Sequence, residues 1–140
     1  MELKLRLSAL IITLYLLSGC SSTENSGSEY AYTQSMNYSE MVELHYRQAK
    51  TKKGFQYEAY QLIPEHNKFW SPIAKKCRPL TQEEGVSSFE FVFVVDRSGM
   101  VIDAKSKLDT AGVNCFLSGI RQIKYPVPPY ENWYEVVNVR

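Results

Sequence analysis

The chain has 140 residues, 44% of them apolar, which suits one small domain with a core of its own. Its formal net charge is +1, so it has no basic face of the kind that grips phosphates, and nucleic acid is excluded as the expected partner. Ten Tyr, six Phe and two Trp supply enough aromatic area to serve a core and a contact surface together.

Residues 1–7 carry Lys4 and Arg6, and residues 8–17 (SALIITLYLL) form an apolar run too short to span ~30 Å of hydrocarbon. This is the layout of a signal peptide, assigned to residues 1–19. Leu17-Ser18-Gly19-Cys20 resembles the lipobox of bacterial lipoproteins, which implies that Cys20 is acylated and becomes the mature N-terminus. Burial of each acyl CH₂ is worth about 0.8 kcal/mol, so several chains (palmitate among them) on one Cys give a firm membrane anchor. Ser21 and Ser22 follow, with no Asp beside the lipid, and the resemblance then implies the periplasmic face of the outer membrane. Lys4, Arg6 and Glu2 leave with the signal peptide, so the mature chain is formally neutral. Residues 20–36 are the lipidated N-terminus and a Ser/Thr/Asn/Gly-rich tether, averaging ~22 Å in reach as a coil, and residues 37–140 are the periplasmic domain.

Asn37 and Glu40 form a capping-box pattern, and Tyr38, Met41, Val42, His45 and Ala49 share one helical face. The spacing predicts a helix over about 38–52, with Lys50, Lys52 and Lys53 as its solvated C-terminal end and Gly54 as its stop. Residues 55–84 fit strand and helix spacing about equally. Pro64, Pro72 and Pro79 argue against one long helix there, Ser71-Pro72 reads as the start of a short helical turn through Cys77, and residues 82–85 as loop.

Residues 89–107 (FEFVFVVDRSGMVIDAKSK) carry a hairpin pattern, assigned to 88–106. Gly99 supplies a positive φ, while Asp96 and Ser98 suit the turn. Val113, Phe116, Leu117, Ile120 and Ile123 make one apolar stripe of a helix over about 112–124. Pro126 ends it, and residues 132–139 are a last strand rich in aromatic and β-branched side chains. The expected fold is α+β: a three-stranded antiparallel sheet with a helix packed on it, preceded by an N-terminal helix.

Residues 99–105 (GMVIDAK), Cys115 inside the helix, residues 125–129 (YPVPP) and residues 134–136 (YEV) together resemble the C-terminal periplasmic domain of TolA and, more distantly, of TonB. The resemblance covers residues 86–140. It implies a protein-binding domain that captures partners at a sheet edge. The family's first-strand Cys is replaced here by Ser87 and Ser88, and the energy-transducing inner-membrane helix is replaced by a lipid anchor, so only the binding part of the family's role carries over. With Cys20 as the lipid site, Cys77 and Cys115 are the expected disulfide pair in an oxidising compartment.

Catalytic patterns do not emerge. His45 and His66 show no metal-ligand spacing, His45 suiting a partly buried helix position and His66 the surface. Glu83, Glu84 and Asp96 are explained by loop and turn chemistry rather than as a hydrolytic pair. The expectation is therefore a non-enzyme without cofactor or metal, whose partners are envelope proteins and, through its anchor, a membrane. Trp133, Tyr134, Val136 and Asn138 are the candidate contact residues on a last strand that nothing further along covers. The alternative role is a structural lipoprotein subunit of a pilus, secretion or conjugation apparatus.

Overall fold

A computed structural model describes residues 35–140. The signal peptide, Cys20 and most of the tether therefore lie outside the described residues. The elements are α1 (Tyr38–Ala49), α2 (Lys52–Tyr57), a π-helical turn (Glu58–Leu62), α3 (Ile63–Glu83), β1 (Phe89–Asp96), β2 (Val101–Ser106), α4 (Ala111–Ile120) and β3 (Asn132–Val139). The class is α+β, with an antiparallel three-stranded sheet in the order β2-β1-β3. None of the described helices is long and apolar enough to cross a membrane.

β1 is the central strand, which explains its lack of alternation: both of its faces are covered. Phe89, Phe91, Phe93 and Val95 pack with Trp133, Phe116, Ile120 and Leu62 on one side. Val92 and Val94 meet Met36, Met41 and Tyr134 on the other. The sheet thus lies between α1 and the α3–α4 pair.

The hairpin turn follows its sequence closely. Asp96 Oδ1 accepts from the Ser98 N–H, the Ser98 hydroxyl and the Met100 N–H. Gly99 has φ +85°, and a Cβ there would lie 2.1 Å from the Tyr125 carbonyl oxygen. The Tyr125 N–H in turn donates to the Gly99 carbonyl at 2.8 Å, so the proline-rich exit is pinned to the turn. Strands β1 and β3 pair in continuous register from Phe89↔Val139 to Asp96↔Asn132.

The N-terminal half departs from the expectations. The first helix stops at Ala49, because Thr51 turns extended and caps a second helix, its hydroxyl accepting from the Gly54 N–H at 3.0 Å. Gly54 is a close-approach position rather than a stop: a Cβ would fall 2.0 Å from the Gln48 carbonyl oxygen. Lys53 is not simply solvated, since its ammonium lies 4.0 Å from the Tyr130 ring centroid.

Residues 52–83 are helical throughout despite their three prolines. Pro64 follows a π-turn in which the Ile63 N–H reaches back to Glu58, and this wider turn makes room for a ring that would crowd the preceding turn of a regular helix. Pro72 and Pro79 are exposed, two turns apart, so the carbonyls they leave unpaired face water. The opposite face, with Ala74, Cys77 and Thr81 buried, holds the helix together. The last helix also ends earlier than the stripe suggested, at Ile120, after Thr110 caps its start.

Candidate functional site at the β3 edge

An open three-stranded sheet has two edges, and this one treats them differently. At β2 the Ala104 N–H is taken by its neighbour Asp103 Oδ1 at 2.8 Å, and the Ala104 carbonyl by Arg121 at 2.7 Å. A charged, inward-turned residue and a capping Arg blunt an edge against further pairing.

At β3 the cover is partial. Odd-numbered residues bond to β1, and the even-numbered ones turn their backbone groups outward. The first two outward residues are met by α1: Gln48 Nε2 donates to the Asn132 carbonyl at 2.7 Å, the Tyr134 N–H donates to Gln48 Oε1 at 3.1 Å, and His45 Nδ1 lies 2.9 Å from the Tyr134 carbonyl. The side-chain amide of Gln48 offers one donor and one acceptor, as a peptide group of a fourth strand would. Beyond Tyr134 this cover ends. Among the described residues no hydrogen bond reaches the outward backbone of Val136 or Asn138.

Beside that stretch runs a groove of about 460 Å³, with His66, Asn67, Trp70 and Arg78 of α3 facing residues 137–140. A second hollow of about 260 Å³ shares Arg78, Val139 and Arg140 and continues toward Ser87 and Phe89. Cys77, next to Arg78 on α3, is bonded to Cys115, S–S 2.04 Å, which ties α3 to α4. His66 is not a surface residue as expected. It is half-buried, stacked near Trp70 and bonded through Nδ1 to the Tyr125 hydroxyl at 2.9 Å, and burial lowers its pKa to about 4.

The four contact candidates divide. Trp133 is fully buried, its indole N–H donating to Glu135 Oε2 at 2.8 Å, and Tyr134 is buried against Met41, Val92 and Val94. Neither side chain is an exposed anchor, because the helices on both faces of the sheet claim them. Val136 is half-buried and Asn138 exposed, and these two carry the open backbone. Cys77 and Cys115 are brought together as expected.

No protein family, characterised protein or solved structure matches the chain. The site is therefore read from its own chemistry.

His45, Glu58 and Glu135 place one donor atom each within 4.8 Å of one another, and are the described residues that could hold a divalent cation. Two of the three are already engaged, His45 with the Tyr134 carbonyl and Glu135 with the Trp133 indole. Burial pushes the Glu135 carboxyl up to about 8, the indole N–H opposing the rise and the Glu58 carboxylate adding to it. At neutral pH a proton neutralises the buried carboxyl. The sequence shows His45 on an apolar stripe, which is a signal of a buried polar role. Nothing in it pairs Gln48 with residues more than 80 positions away.

Proposed function

We propose that this chain is a membrane-anchored periplasmic lipoprotein, acylated at Cys20 and held on the outer membrane, whose folded domain binds an envelope protein without catalysing a reaction. Capture is by strand addition: an extended segment of the partner pairs with the outward backbone of Val136 and Asn138 and lays alternate side chains into the groove over α3. The carrying observation is the contrast between the capped backbone at Asn132, Tyr134 and Ala104 and the open backbone at Val136 and Asn138. The element order of strand, strand, helix and strand supports the kinship with TolA and TonB C-terminal domains that residues 86–140 suggest.

The test is a photo-crosslinking amino acid placed at the exposed Asn138 in intact cells, with the same probe at Lys52 for comparison. A single envelope protein should be captured from position 138 and lost in Val136→Pro, which removes an outward N–H while remaining compatible with an edge strand. Capture only from position 52, or capture indifferent to the proline, would count against strand addition. A stoichiometric, detergent-stable ring captured from position 138 would assign the chain instead to a fixed assembly of the envelope.

A further inference from the structure

Resting on the strand-addition reading, we infer that the segment received at the β3 edge carries an acidic side chain, which Arg78 and Arg140 hold. The residues lining the groove and its continuation include these two guanidinium groups and no Asp or Glu side chain. Both arginines are exposed, and neither makes an ion pair with a described residue. Two unpaired guanidinium groups beside open strand backbone favour a carboxylate, which can accept two parallel N–H bonds from one of them. A basic segment would be repelled at the same place.

Spacing narrows the partner further. A strand added beside β3 lies ~4.8 Å away and turns every second side chain toward α3. There the half-buried Trp70 offers an apolar floor, and Arg78 stands eight residues further along the helix, about 12 Å at 1.5 Å per residue. Residues four apart on a strand are separated by about 13 Å and share a face. The fitting segment therefore has an apolar residue and an acidic residue four positions apart.

The probes are capped heptapeptides of sequence Thr-Phe-Thr-Val-Thr-Glu-Thr, its reverse, and versions with Gln or Lys in place of Glu. They are titrated into the ¹⁵N-labelled full chain in detergent micelles. One Glu peptide should bind about tenfold more tightly than its Gln version, with Lys weaker still. The binding should move the Val136 and Asn138 amide signals, and Arg78→Gln should erase the Glu advantage without changing the rest of the spectrum. Equal affinity for Glu, Gln and Lys with movement at Val136 and Asn138 would overturn the acidic preference and leave strand addition standing. A Glu advantage that survives Arg78→Gln and Arg140→Gln would overturn the assignment to these residues. No movement at those two amides with any peptide would overturn strand addition and the acidic preference together.

Discussion

Glu135 is turned from β3 toward the helices, where Trp133, His45, Glu58 and Tyr57 surround its carboxyl. Its pKa of about 8 in the fold stands against 4.5 in the open chain. Between those values the folded protein holds a proton that the unfolded chain has released, so stability falls as pH rises from 4.5 through 8. His66 acts in the opposite sense. Its pKa drops from 6.5 to about 4 on burial, the unfolded chain binds the extra proton, and stability falls as pH drops from 6.5 through 4. The two slopes oppose each other from about 6.5 to 4.5, giving a plateau with a loss on each side. Glu135→Gln keeps an acceptor for the indole and should flatten the alkaline limb, gaining on the order of 1–3 kcal/mol over the parent at pH 8. His66→Gln should flatten the acid limb. Urea unfolding at half-unit pH steps reads both, and an E135Q profile parallel to the parent between pH 5 and 8 would remove the basis for the alkaline limb.

At the level of elements, legibility followed the locality of the forces. The hairpin, the capping box at Asn37 and the strand 132–139 rest on turn chemistry and alternation within a few residues, and each was readable from the chain. The helix 52–83 was not, because three prolines outweighed its apolar spacing. Trp70, Ile73, Ala74, Cys77 and Thr81 do recur at helical intervals, and tertiary packing against α4 with the disulfide decides in their favour. The open part of the β3 edge was readable as a strand, whereas its cover by Gln48 depends on a contact between the two ends of the domain. The disulfide closes 38 residues of chain. Replacing Cys77 and Cys115 with Ala should cost about 4 kcal/mol of stability in the chain-entropy account. Thermal unfolding of the double variant measures it, and a loss under about 1 kcal/mol would show that packing alone holds α3 against α4.

For the whole molecule, the decisive property is how few sheet hydrogen bonds are left for another chain. Among the described residues the β3 edge is covered by side chains of α1 at Asn132 and Tyr134 and left open over Val136 and Asn138, and the β2 edge is capped at Ala104. A short pairing surface limits what can be added and discourages open-ended association of copies. Gln48→Ala should lengthen that surface by releasing the Asn132 carbonyl and the Tyr134 N–H from Gln48, while His45 still meets the Tyr134 carbonyl, at a cost of about 1–2 kcal/mol for two lost hydrogen bonds. Hydrogen exchange should quicken at the Tyr134 amide and stay slow at Glu135, which pairs with β1. Equal protection of Tyr134 in the variant and the parent would mean that α1 is not what covers the edge. The disulfide between α3 and α4 has a temporal consequence as well. One wall of the groove is a strand held by hydrogen bonds that form in any aqueous setting, and the other is a helix whose core packing is joined by a covalent tie only on oxidation. A newly made copy in reducing surroundings would carry its sheet but a less firmly held α3 until the two thiols are oxidised.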